Sequence, residues 1–83
     1  MPISVTALFF AAYRDLVGSA VLELELPEGA SVGDLVRRLR ERGHPFDVLP
    51  EEPAVALNRK YAPLGARLAA GDEVAFIPPV AGG

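Results

Sequence analysis

The sequence has no cysteine, tryptophan or glutamine, and it has only one histidine, one lysine and one asparagine. Without cysteine there can be no disulfide framework, thiolate metal site or cysteine nucleophile. A single histidine excludes chemistry that needs two imidazoles, and we expect no metal site. The 83 residues make one small domain with a modest core. These absences make the chain a poor candidate for an enzyme that works alone.

Positive charge is also scarce, since the chain has 8 Lys and Arg residues but 11 Asp and Glu residues, which gives a net charge of −3. This balance argues against nucleic acid as a partner. Arginines cluster over residues 37–42, but no aromatic residues lie among them, so we predict a solvated helix face. The apolar stretch over residues 3–13 is too short to span a bilayer and has no basic residue before it. We therefore expect a cytoplasmic protein with no membrane partner.

The hydrophobic pattern predicts a mixed α+β fold. Residues 3–10, 21–26, 54–57, 61–63 and 73–77 have the pattern of strands, and residues 11–17 that of a short helix. Ser31 can cap a longer helix, whose apolar stripe is formed by Val32, Leu35, Val36 and Leu39. The elements thus follow one another as a hairpin, one main helix and further strands. This order is typical of a β-grasp sheet. In that fold the first and last strands lie side by side and parallel at the centre.

Strand alternation predicts an apolar patch on the sheet face away from the helix. Leu8 and Phe10 point away from the core face of the first strand, and Ala75 and Ile77 do so on the last strand. On so small a domain an exposed patch of this kind indicates an interface. The alternative is that loops or the first helical turn cover these residues.

The C-terminal residues form the most informative segment. Pro78 and Pro79 lack amide donors and end the strand, and Val80, Ala81, Gly82 and Gly83 follow. We predict a folded domain over residues 1–78 and a flexible tail over residues 79–83. From Pro79 to Gly83 the chain can reach about 16 Å at ~3.3 Å per residue. Such a narrow tail can thread a channel in another protein; the alternative is a frayed end or a cloning remnant.

The chemistry that suits this tail belongs to its terminal carboxylate. A free carboxylate is a poor electrophile, but adenylation by an ATP-dependent partner would activate it. Sulfide transfer to the activated acyl group would then give a thiocarboxylate, which is a good sulfur nucleophile. This route needs no reactive side chain in the carrier.

The chain resembles the MoaD family, the small sulfur-carrier subunits of molybdopterin synthase, along essentially its whole length. The resemblance is carried by two segments, residues 8–18 with Leu-Phe-Phe-Ala, Arg14, Asp15 and Gly18, and residues 71–83 with Gly-Asp-Glu, Pro-Pro-Val and Gly-Gly. The departures from the family pattern are Asp15 for Glu, Ile77 for an aromatic residue and Ala81 for Thr or Ser. None of them removes a group that the chemistry needs.

The resemblance implies a ubiquitin-like β-grasp fold and a non-catalytic, sulfur-donating role within an enzyme complex. A MoeB-like enzyme would use ATP to adenylate Gly83, and no cofactor would be bound permanently. The tail would deliver sulfur to cyclic pyranopterin monophosphate in a MoaE-like large subunit, within a heterotetramer of two small and two large subunits. Besides Gly83, the implied partner-binding residues are Phe10, Arg14, Ile77, Pro78, Pro79, Val80, Ala81 and Gly82. Arg14 would either pair across the interface or cap its own short helix.

Three other functions use the same terminal chemistry. One is the ThiS-like carrier for thiamin thiazole, although that family is usually shorter and lacks the Phe-Phe-Ala opening and the proline pair. Another is a carrier for tRNA thiolation. The third is a ubiquitin-like modifier that is joined to lysines through Gly83.

Overall fold

In a computed structural model, which describes residues 1–79, five strands form a single mixed sheet that packs against one main helix. The strands are β1 (Ile3–Phe9), β2 (Val21–Leu26), β3 (Ala54–Leu57), β4 (Lys60–Ala62) and β5 (Glu73–Ile77). The helices are α1 (Ala11–Val17) and α2 (Val32–Arg40), and Phe46–Val48 forms one 3-10 turn.

The sheet order is β2-β1-β5-β3-β4, with the first and last strands at its centre. β1 and β5 are parallel, from Thr6 opposite Glu73 to Phe9 opposite Phe76. β2 is antiparallel to β1, and β3 is antiparallel to both β5 and β4. The predicted β-grasp arrangement is therefore confirmed.

The core lies between the sheet and α2. Alternate residues of the two central strands point towards the helix, and Phe9 and Phe76 stack with their ring centroids 5.2 Å apart. The apolar stripe of α2 meets them, with Leu35 and Leu39 fully buried. Because this helix covers only one face of the sheet, the other face is left open.

The first turn of α2 has a partner for each of its early backbone amides. Ser31 and Asp34 form a capping box, in which Ser31 Oγ accepts from the Asp34 amide at 3.1 Å and the Asp34 carboxylate accepts from the Ser31 amide at 2.9 Å. The hydrogen bond from the Ser31 backbone lowers the pKa of Asp34. Residues 64–66 supply the other acceptors, since the amides of Val32 and Gly33 donate to the carbonyls of Ala66 and Leu64 at 2.9 and 2.8 Å. These two hydrogen bonds attach the N-terminal end of α2 to the loop that leads into β5.

Several predicted boundaries shift slightly. β1 ends at Phe9 rather than Phe10, because the backbone turns at Ala11, whose φ is 47°. β4 begins at Lys60 because the preceding turn needs only two residues. Within residues 1–79, no helix is long and apolar enough to cross a membrane. Of the predicted tail over residues 79–83, the structure describes only Pro79; the remaining four residues lie outside the described part of the chain.

Candidate functional site

The open face of the sheet carries an apolar patch, formed by Leu8, Phe10, Ala75 and Ile77 and called here the open-face patch. Leu8 and Ala75 are direct neighbours in the parallel pair of β1 and β5. All four side chains line one shallow groove of about 610 Å³, which Ala56 and Pro78 extend. The structure thus brings together the four residues that strand alternation placed on this face. The groove is open, so neither loops nor α1 cover them.

Phe10 is the most prominent member of the patch, with 50% of its surface exposed, whereas the preceding Phe9 is 1% exposed. Its carbonyl accepts the amides of Tyr13 and Arg14 at 3.0 and 3.3 Å, so α1 starts directly on this residue. Tyr13 and Val17 then anchor α1 in the core. An exposed phenylalanine beside a rigidly anchored turn is suited to insertion into an apolar pocket of a partner.

A second groove, of about 360 Å³, continues from the patch along the last prolines. It is lined by Tyr13, Tyr61, Pro78, Pro79 and neighbouring residues, and it shares Ile77 and Pro78 with the first groove. Tyr61 is 80% exposed. Tyr61 is not among the predicted site residues, because the register of the three-residue strand β4 cannot be read from alternation. Burial raises the pKa of the Tyr13 phenol above its ordinary value.

A small hydrogen-bonded cluster fixes the rim of the open-face patch. The Asn58 side-chain amide donates to Asp72 Oδ1, and its oxygen accepts from the Glu73 amide, each at 2.9 Å. This ties the β3–β4 turn to the start of β5. Arg59 and Glu73, which line the patch groove, are thereby held at its edge.

Arg14 lies on the exposed surface of α1. Its backbone carbonyl accepts from the Gly18 amide at 2.9 Å, and Gly18 ends the helix with a left-handed backbone. The ion pairs formed among residues 1–79 do not include Arg14. Arg14 lies in the last turn of α1, and both predicted roles, pairing across an interface and capping its own helix, stay predictions.

The end of β5 lies where the two grooves meet, since both grooves are lined by Ile77 and Pro78. β5 ends at Ile77, Pro78 lines both grooves, and Pro79 lines the groove that contains the two tyrosines. The predictions for Val80, Ala81, Gly82 and Gly83 concern residues outside the described part of the chain. Among residues 1–79 no group of three or more His, Asp or Glu side chains could hold a metal ion.

Comparison with known proteins places the chain in a family. The ThiS family model matches residues 7–83. A molybdopterin synthase sulfur carrier subunit of Mycobacterium tuberculosis is 39% identical over 82 residues, which cover 98% of this chain and 99% of that protein.

Solved structures agree with this match. The fold is similar to that of small archaeal modifier protein 1 of Haloferax volcanii, with a TM-score of 0.82, 28% identity and coverage of 94% of this chain and 99% of that one. It is also similar to a chain in the complex of subunits 1 and 2 of molybdopterin-converting factor from Helicobacter pylori, with a TM-score of 0.68, 22% identity and coverage of 98% and 100%. The chain therefore belongs to the ThiS family, alongside the molybdopterin synthase sulfur carrier subunits, and its predicted resemblance to the MoaD family is confirmed.

Proposed function

We propose that this protein is the sulfur-carrier small subunit of a molybdopterin synthase. The observation that carries the proposal is the open-face patch, which ends where the Pro-Pro pair starts the Gly-Gly tail. A docking surface next to a narrow terminal segment is what a carrier needs in order to place its end group in another protein's active site. The curated relative named above carries the same function in its name.

The chemistry proceeds at the carboxylate of Gly83. A MoeB-like enzyme binds ATP, and a carboxylate oxygen of Gly83 attacks the α-phosphorus to release pyrophosphate and form an acyl-adenylate. A sulfide equivalent then attacks the acyl carbon and expels AMP, which leaves a thiocarboxylate. ATP is consumed by the activating enzyme, and the carrier itself needs no resident cofactor.

The partner in sulfur transfer is a MoaE-like large subunit. The neighbour from H. pylori was solved as a complex of subunits 1 and 2, which supports a two-subunit assembly; we propose two copies of each subunit. The large subunit would hold cyclic pyranopterin monophosphate and receive the sulfur in its active site.

The domain's role in this complex is positioning. Phe10 and Ile77 would enter apolar pockets of the partner, and Arg14 would pair with an acidic group there. Pro78 and Pro79 would direct the chain outward, and Val80, Ala81 and Gly82 would occupy a channel too narrow for larger side chains. Gly83 would then meet the pterin precursor with its thiocarboxylate.

Intact mass spectrometry tests the proposal directly. The purified protein is incubated with a MoeB-like enzyme, ATP and a sulfur source, and we expect a mass increase equal to sulfur replacing one oxygen. A variant that lacks Gly83 should show no such increase while its far-UV circular dichroism is unchanged. Addition of the large subunit and the pterin precursor should then regenerate the carboxylate and yield molybdopterin.

Two results would contradict the proposal. Covalent adducts on lysines of other proteins, without a thiocarboxylate, would assign the chain to the modifiers, as the structural neighbour from Haloferax is named. A thiocarboxylate that the pterin precursor does not discharge, but that a thiazole or tRNA thiolation system does, would assign it to another sulfur pathway.

A further inference from the structure

The second groove contains a tyrosine hydroxyl that has no partner within residues 1–79. Tyr13 is 6% exposed, and its hydroxyl takes no part in the side-chain hydrogen bonds of that part of the chain. No fully buried side-chain nitrogen or oxygen there lacks a partner, so this hydroxyl is open to the groove that Tyr13 lines. A buried tyrosine with an accessible hydroxyl offers a ready polar contact to a ligand.

The other groups that line the second groove accept hydrogen bonds rather than donate them. Glu52 carries a negative charge and is an acceptor only, and it does not belong to the ion pairs formed among residues 1–79. Of those residues, none that lines the groove is a lysine, arginine or histidine. Proline has a backbone carbonyl but no amide donor, and four prolines line the groove: Pro50, Pro53, Pro78 and Pro79. A ligand in this groove therefore has to supply the donors, and a positive charge on it is favoured.

The largely exposed ring of Tyr61 adds a surface on which a cation can stack. Tyr61 lies opposite Ala56, which in turn lies opposite Ala75 of the open-face patch, so all three side chains are on the same face of the sheet. A guanidinium group is planar, stacks on aromatic rings and has five N–H donors, whereas an ammonium group is a compact and strongly hydrated charge. An aromatic face, a phenol oxygen and a carboxylate together thus fit an arginine side chain better than a lysine side chain.

We propose that the second groove binds an arginine side chain of the large subunit. Its guanidinium stacks on Tyr61 and donates to the Tyr13 hydroxyl oxygen and to the Glu52 carboxylate. The groove shares Ile77 and Pro78 with the groove of the open-face patch, so a protein that docks on the patch also reaches it. This inference rests on the proposed function, since it takes the large subunit as the partner.

Two substitutions that each remove one group test this assignment through calorimetric binding to the large subunit at low salt. Glu52→Gln should weaken binding by about three- to tenfold, and added salt should reduce this effect. Tyr13→Phe removes only the hydroxyl and should weaken binding by about two- to tenfold. Neither variant should melt at a lower temperature, because neither group has a side-chain partner within residues 1–79. Glu51→Gln is the matched control and should bind normally, because the Glu51 carboxylate pairs with Arg40 at 3.5 Å and does not line this groove.

Chemical modification identifies the arginine of the large subunit. Phenylglyoxal, which modifies arginine side chains, is applied to the large subunit alone and in the complex, and peptide mass spectrometry should show an arginine that only the complex protects. Replacing that arginine with glutamine should weaken binding to the unsubstituted carrier. The same replacement should have little further effect on binding to the Glu52→Gln carrier, because the two groups interact with each other.

The variant Phe10→Ala separates failure of this inference from failure of the proposed function. It should weaken binding by more than about tenfold, and unchanged binding would contradict the proposed interface itself. If Phe10→Ala weakens binding while Glu52→Gln and Tyr13→Phe bind normally, the arginine site is refuted and the interface stands. Tighter binding of Glu52→Gln would also overturn the proposal, because it would show that the groove holds an apolar segment of the partner.

Discussion

Asn58 shows how one side chain can hold two distant parts of the chain together. It is the only asparagine in the sequence, and it occupies a left-handed turn position with φ of 50°. Its backbone amide donates to the Glu73 carbonyl at 2.8 Å, while its side chain bonds to both Asp72 and Glu73. These hydrogen bonds therefore tie the turn to the start of β5 at the rim of the open-face patch.

Substitutions at Asn58 can separate its hydrogen bonds from its backbone preference. Asn58→Gly loses the two side-chain bonds but accepts the left-handed turn, so we expect a loss of about 1 kcal/mol in the free energy of unfolding. Asn58→Ala loses the same bonds and also places a Cβ on a left-handed backbone, for a total of about 2–3 kcal/mol. Urea unfolding of the two variants measures the difference. Equal losses would show that the turn conformation costs alanine nothing here.

Strand β5 illustrates how a single element serves both the core and the surface. Val74 and Phe76 are fully buried against α2, whereas Ala75 and Ile77 are partly exposed in the patch groove. Period-two alternation makes this division unavoidable once the strand is central. Shortening a buried side chain of β5 should therefore lower the free energy of unfolding, whereas shortening its partly exposed neighbour should weaken partner binding.

The pair Phe76 and Ile77 tests this division. Phe76→Ala removes a stacked ring from the core and should cost about 3–5 kcal/mol of unfolding free energy. Ile77→Ala should cost only about 1–2 kcal/mol, because its side chain is not fully buried, yet it should weaken large-subunit binding by about tenfold. Denaturant titration and calorimetric binding separate the two effects. An Ile77→Ala protein that binds normally would remove Ile77 from the interface.

The same alternation explains which elements could be predicted from the sequence. The bounds of β2 and β5, the Ser31 cap and the four patch residues follow from local pattern and turn chemistry, and the structure has them where they were expected. The contacts of residues 64–66 with α2 cannot be predicted from local pattern, because they pair backbone groups that are over 30 residues apart in the chain. Nothing in the local sequence marks such a pairing, nor the position of Tyr61 beside the prolines.

At the scale of the whole molecule, folding and chemistry occupy different parts of the chain. The buried cluster that the structure describes extends from Ile3 to Phe76, while the proposed reacting group is at Gly83. The lack of cysteine and of paired histidines is then consistent with the proposed sulfur-carrier function, because that chemistry needs only the terminal backbone carboxylate and the partner enzymes that act on it.

A chain that ends at Pro79 makes this separation measurable. Since the buried cluster is retained, we expect the truncated protein to melt at the same temperature as the full chain. It keeps the open-face patch, so it should still bind the large subunit and compete with the full-length carrier, although more weakly because the tail contacts are lost. Added to a molybdopterin synthesis reaction, it should inhibit, and excess full-length protein should restore the rate. The truncated chain with Phe10→Ala is the matched control and should not inhibit. Inhibition by both would place the docking surface outside the patch, and inhibition by neither would mean that the tail alone carries the binding.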